Sequence, residues 1–303
     1  VKPREVAGLL FLSALWGGSF LFMRIAAPKL GPVLLIELRV LIAGLALLAY
    51  GVLSRRLPGV RGLWREYLVV GAVNSALPFL LISAASLALP ASLTATLNAT
   101  TPLFGAVVAA VWMGESLTLR KVLGLLVGFA GVVALLGIGP VSPSWETFLA
   151  AGASLLAAAC YGAAAVYTKV KVKGAQPQAL ATYSQLFAAL LILPAVPFAW
   201  PSAFPSGLVI GSVLALALLC TALAYLIYFY LILNAGPTKA VMVTYLAPAF
   251  GMLWGGLFLQ EQIGVGGVVG LCSILASVAL VGGAGASGKR KPPITDDGGP
   301  VRG

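Results

Sequence analysis

Two charges of opposite sign, Glu37 and Arg39, stand inside the run PVLLIELRVLIAGLALLAY, which is otherwise apolar. An ionisable side chain in such a run is costly unless it is paired or serves a site. Two residues apart on a helix, the two point to different faces and do not simply pair with each other. Glu37 has two uses open to it. It can reach Arg24 or Lys29 near the helix end, the favoured use because long cationic side chains snorkel, or it can carry a proton. Arg39 can meet a carboxylate or serve as a gate contact. The remaining polar groups are uncharged: Trp16, Ser19 and Met23; Asn74 with Pro78; Asn98 and Thr101; Tyr161; Tyr225; Thr244 with Tyr245. Such groups hydrogen-bond and stack, but they do not make or break bonds.

Bond-making chemistry has little else to stand on. With no histidine, Ser-His and Cys-His catalysis and histidine metal sites are excluded. Cys160, Cys220 and Cys272 lie in apolar runs at no metal-ligand spacing and read as small packed hydrophobes. No enzyme activity, cofactor or metal is expected. The net charge of +11 is scattered in short groups between apolar runs, with no basic stripe, so no nucleic-acid partner is expected.

The elements that must position these residues are set by hydropathy. Sixty per cent of the 303 residues are hydrophobic and nine per cent charged, and the mean hydropathy is +1.04. A bilayer core takes about 20 apolar residues per helix. On that basis ten spans are predicted near 5–26, 32–53, 66–87, 91–112, 118–137, 146–168, 178–198, 207–232, 238–259 and 264–284. The first is read as a span, its apolar run being too long for a signal peptide. The stretch 287–303 reads as a disordered polar tail. With the N-terminus inside, sixteen Lys and Arg fall on inner segments and Lys29 alone on an outer connector, which puts both termini in the cytoplasm.

The chain also repeats itself. Residues 98–116, NATTPLFGAVVAAVWMGES, match 244–262, TYLAPAFGMLWGGLFLQEQ, at an offset of 146: Pro102 on Pro248, Phe104 on Phe250, Gly105 on Gly251, Glu115 on Glu261. Nearer the start of each copy the offset is 145, as in Gly17/Gly162 and Pro32/Pro177. Each copy holds five spans, an odd number, so the second is expected upside down. The fold class is therefore all-α and polytopic, ten transmembrane helices as two inverted five-helix repeats: 1–140, 141–286, and the tail. Inverted repeats suit carriers that rock around a midplane site.

These paired P-x-F-G … G/Q-E signatures, with ten spans in five-plus-five order, resemble the EamA-domain branch of the drug/metabolite transporter superfamily, and within it the YddG type of amino-acid exporter. The resemblance covers 5–285. It implies a carrier of the bacterial inner membrane, exporting amino acids or other metabolites.

Mid-span prolines bend helices, and Pro78, Pro102 and Pro248 are such cases. A merely structural kink accounts for them about as well as a cavity does. For any one Ser or Thr, a hydrogen bond to a neighbouring helix, about 0.6 kcal/mol, suffices. For Asn98, Trp16, Tyr161 and Tyr225 together a cavity is the better account, sized for a small, largely neutral solute. Glu115 and Glu261 read as helix-end caps, and Gly124, Gly128, Gly131, Gly266 and Gly270 as close helix contacts. The function expected is alternating-access export of neutral, aromatic or a broad range of amino acids. The alternative is a drug or nucleotide-sugar carrier of the same superfamily; a channel, a scaffold and an intramembrane enzyme fit less well. The partners expected are a small-molecule substrate and the lipid bilayer, the chain being a monomer or weak homodimer.

Overall fold

The computed structural model describes residues 3–55, 59–60, 62–137, 144–201, 203–235 and 243–283, and among these every regular element is helical. The first two helices, α1 (3–30) and α2 (32–53), join without a loop at Gly31, whose φ of 72° and ψ of 157° turn the chain back. Only a residue without Cβ takes that conformation readily, and Pro32, which has no N–H to leave unsatisfied, follows it at the start of α2. After them come α3 (Trp64–Ala88), α4 (Ala91–Met113), α5 (Leu119–Gly137), α6 (Trp145–Lys171), α7 (Pro177–Ala199), α8 (207–235), α9 (Val243–Leu259) and α10 (Val265–Gly283).

Seven stretches are long and apolar enough to cross a membrane, 3–53 counting once, while Val243–Leu259 and Val265–Val281 are shorter apolar helices. The first residues of the predicted span 238–259 and the whole tail 287–303 fall outside the described residues. Leu119, Leu126 and Val133 on α5, Leu190 on α7 and Leu208 on α8 are each more than half exposed. Acyl chains solvate such side chains as well as a protein core does.

Packing follows the duplication. α1 crosses α9, and α6 crosses α4; α2 packs on α7, α4 on α9, α5 on α10; α3 packs on α6, and α8 on α1. Exchanging every helix for the one five places along turns this set into itself. The crossings match residue by residue. A Cβ on Gly17 would lie 2.7 Å from Ala247 O and from Gly251 N, and one on Gly162 would lie 2.5 Å from Gly105 N. Gly17 and Gly162 are repeat partners, as are Gly105 and Gly251. On α5 and α10, a Cβ on Gly124 would meet Val281 at 2.8 Å and one on its partner Gly270 would meet Leu135, also at 2.8 Å. Leu135 and Val281 are again 146 apart.

Backbones this close leave no room for a side chain. Gly17→Val and Gly162→Val should each destabilise the protein by about 1–3 kcal/mol through overpacking. Gly152→Ala, at an exposed position with nothing near its Cβ, should be neutral. Thermal midpoints in detergent check both.

Candidate functional site

Irregular backbone inside the helices assembles the site. Pro102 cannot donate to the carbonyl of Asn98, so α4 is interrupted at residues 99–100 and the Thr101 hydroxyl takes that carbonyl instead, at 2.8 Å. Such breaks persist at membrane depth only where protein or a cavity satisfies them. α3 and α8 carry a different irregularity, a π turn, at Gly71–Ala76 and Ala215–Leu223. The first ends two residues before Pro78, whose missing N–H removes a normal helical bond. At the offset of 146 the first π turn lies inside the second. π turns occur often at functional sites, because the extra residue re-aims its neighbours.

These helices enclose a cavity of about 500 Å³, within the usual range for small-molecule sites. Of the residues expected there, Trp16, Ser19, Met23, Asn74, Asn98, Thr101, Tyr161, Tyr225, Thr244 and Arg39 line it, with Pro102 and Pro248. Trp16 and Tyr228 meet at 5.4 Å between ring centroids, and Tyr161 stands edge-on to Phe79 at 6.3 Å. The Asn74 amide donates to the Tyr225 hydroxyl at 3.3 Å. The amide nitrogen of Asn98 is buried without a hydrogen-bond partner.

Three expectations are corrected. Tyr245 is about 100° around α9 from Thr244 and packs in the cluster of α3, α4, α5, α6 and α10, off the cavity. Pro78 is buried in α3 and does not line the cavity, although Phe79 does. Glu37 does not pair with Arg24. Its Oε2 is buried without a partner, while Arg24 Nη1 donates to the carbonyls of Ser86 and Leu87 at 2.6 and 2.9 Å.

Arg39 is 4 % exposed. Its Nε donates to Thr221 Oγ1 at 3.1 Å, Nη1 reaches Met23 Sδ at 3.7 Å, and the guanidinium carbon lies 3.6 Å from the centroid of the Phe79 ring. Thr221 in turn donates to the Leu216 carbonyl, five residues back, across the π turn.

The repeated Glu ends two helices alike and then does two different things. Gly114 (φ 65°) and Gln260 (φ 52°) are both left-handed, and the next N–H closes on the carbonyl six residues back, Glu115 on Ala109 and Glu261 on Gly255. That is the physical content of the G/Q-E signature: a left-handed helix end. Glu261 then reaches across to α4, its two oxygens accepting from Ala91 N at 2.6 Å and Ser92 N at 2.9 Å. A carboxylate there satisfies two first-turn amides and the positive end of the helix dipole. Glu115 instead pairs with Lys121 at 3.3 Å and Lys169 at 3.5 Å. The Lys121 hydrogen bond, with attraction from Lys169, holds the Glu115 carboxyl below its ordinary value against a smaller opposing push from burial.

The cavity is unequal at its two ends. Toward Lys169 its lining runs to Thr168, Val70, Leu180 and Thr244; toward Arg24 and Glu261 it stops at Ile82 and Ala95. Contacts of the Glu261 kind escape local reading, since the mark at the offset of 146 identifies the glutamate but not its partner on another helix.

The EamA-like transporter family matches this chain twice, over residues 5–137 and 148–283. Among similar proteins, the uncharacterized transporter YvbV of Bacillus subtilis is 26% identical, over 92% of each chain. The protein PecM of Dickeya dadantii is 26% identical over 93% of each. One solved structure superposes with a TM-score of 0.65 at 20% identity, over 92% of this chain and 96% of its own, which speaks to the fold alone.

The two glutamates should differ in worth. Glu261→Ala should cost about 0.5–2 kcal/mol, the range for a lost helix cap. Glu115→Ala should cost less than about 1 kcal/mol, and less again in high salt, because its pairing is part-exposed. Thermal unfolding at two salt concentrations checks the contrast.

Proposed function

Because the chain belongs to the EamA-like transporter family, a multi-pass membrane transporter, we propose that it is a secondary carrier that exports amino acids and related small metabolites by alternating access. In this reading ten helices cross the inner membrane, 1–140 and 141–286 form the two halves, and the second is inverted. The observation that carries it is the cavity of about 500 Å³ walled by matched helices of both repeats and lined at one end only as far as Ile82 and Ala95.

The exchange symmetry of the packing supports inversion. If five helices in one half run opposite to their counterparts, the α1–α9 and α4–α6 glycine crossings become the same joint at opposite depths. Rocking about these joints would seal one end as it releases the other. With the Lys- and Arg-bearing connectors inside, the end at Lys169 faces the cytoplasm. The geometry described is then the inward-facing state, its outer end held by Arg24 bonded to the end of α3 and by Glu261 bonded to the start of α4.

The lining supports an amino acid. Trp16, Tyr161, Tyr225 and Tyr228 offer aromatic wall for a side chain, and Asn74, Asn98 and Thr101 offer polar contact. A nucleotide-sugar fits less well, since Arg39 is the one Lys or Arg among the lining residues and a pyrophosphate needs more. The export direction follows the likeness to YddG-type exporters.

Purified protein in liposomes should take up labelled amino acids with saturation and counter-exchange, and Trp16→Ala and Asn98→Ala should each cut the rate roughly tenfold. Absence of flux across a broad amino-acid panel, with folded protein, contradicts the reading.

A further inference from the structure

Two hydrogen bonds in this chain fasten corresponding helices to corresponding π turns, with different chemistry each time. On α7, Gln185 Nε2 donates to Ser75 Oγ on the π turn of α3 at 3.0 Å. On α2, Arg39 Nε donates to Thr221 Oγ1 on the π turn of α8 at 3.1 Å. Ser75 and Thr221 are 146 apart; on α2 and α7, where Pro32 and Pro177 set the offset at 145, Gln185 stands one residue beyond Ser184, the partner of Arg39. Corresponding helices are therefore fastened to corresponding π turns from neighbouring positions, by a neutral amide in one half and by a guanidinium in the other.

That pairing separates structure from charge. Gln185 shows that fastening the helix to the π turn needs only an N–H donor. Gln185 is fully buried and away from the cavity, whereas Arg39 lines it. The positive charge of Arg39 is thus surplus to the joint, and it is an expensive surplus, since a buried charge without a partner is strongly unfavourable. Around the guanidinium stand Met23, Thr221, Phe79, Tyr161, Cys220 and Tyr225, none of them a carboxylate. Neither ion pair of Glu115, with Lys121 or with Lys169, involves Arg39. The face of Phe79 offsets part of the charge, as aromatic rings do, and leaves room for an anion. The partnerless amide nitrogen of Asn98 is a second donor on the same cavity.

We propose that Arg39 binds a single carboxylate of the transported solute, and that its charge makes the cavity selective for carboxylates over their neutral or cationic analogues. The proposal rests on the carrier reading and narrows its substrate class. One guanidinium, with no other Lys or Arg in the lining, matches one negative charge. A planar fork suits a carboxylate held by two parallel hydrogen bonds. The zwitterion of a neutral amino acid satisfies this, and its amide does not.

The test is titration of the detergent-solubilised full chain, followed by tryptophan fluorescence, with Trp16 in the cavity as reporter. The probes are L-phenylalanine, phenylacetate, L-phenylalaninamide and phenyl phosphate. The two carboxylates should bind at least about tenfold more tightly than the amide, in keeping with charge-assisted hydrogen bonds, and more tightly than phenyl phosphate. Arg39→Gln, which keeps a neutral N–H donor at that position, should fold and bind acid and amide within about twofold of each other. Arg39→Lys keeps the charge and should weaken acid binding while keeping the preference. The proposal is overturned by wild-type protein that binds the amide or phenyl phosphate as tightly as the acids, or that binds no acid at all. It is equally overturned by a preference that survives Arg39→Gln or vanishes in Arg39→Lys. Liposome flux separates the two ideas: acid-selective binding without flux defeats the carrier reading alone, and flux of the amide equal to that of the acid defeats this proposal alone.

Discussion

In lipid, helices gain nothing by hiding apolar side chains from water, so they meet where their surfaces fit. In this chain the fit is made by glycine. At Gly17 against Ala247 and Gly251, and at Gly162 against Gly105, backbones approach so closely that a Cβ would fall within 2.7 Å of main-chain atoms. These joints tie α1 to α9 and α6 to α4. Each links the first helix of one repeat to the fourth of the other, so the repeats interlock rather than stand side by side. The cavity is what the interlocked helices leave between them, and its polar lining depends on how they bend.

The bends have local causes. Thr101 answers for the hydrogen bond that Pro102 cannot make, and π turns loosen α3 and α8 at matching places. Those π turns present Ser75 and Thr221 to Gln185 and Arg39. From there the halves part company: a neutral amide sealed in the protein on one side, a charge bordering the cavity on the other. The ends of α4 and α9 show the same logic. Two helices end in the same left-handed turn, yet Glu261 caps α4 while Glu115 pairs with two lysines. A near-symmetric frame with asymmetric polar contacts is what one conformation of a two-state machine would look like.

Much of this was legible in the sequence. Helix positions came from apolar runs near the length of a bilayer, and the repeat from prolines and glutamates that such a biased composition does not produce cheaply. The cavity face of α4 came from Asn98 and Thr101, polar residues in a membrane-length run. What escaped were contacts between segments distant in the chain. Arg24 pairs with carbonyls at the end of α3 rather than with Glu37, and an exposed carbonyl leaves no mark on residue type. Glu261 finds the amide of a residue 170 positions away. The π turns have no pattern of their own, because one extra residue per turn changes geometry without changing hydropathy. Tyr245 fell to the helical period, which carries a neighbour of Thr244 onto another face.

The claim on which the whole account rests is that the space between the repeats is a solute path entered from the end at Lys169. It is tested most directly with Asn98→Cys in a chain whose three native cysteines are replaced, in membrane vesicles of each orientation treated with a membrane-impermeant thiol reagent. The account predicts rapid modification from the face bearing Lys169, slowed by bound solute. An introduced thiol that reacts only from the face bearing Glu261, or from neither, would contradict it.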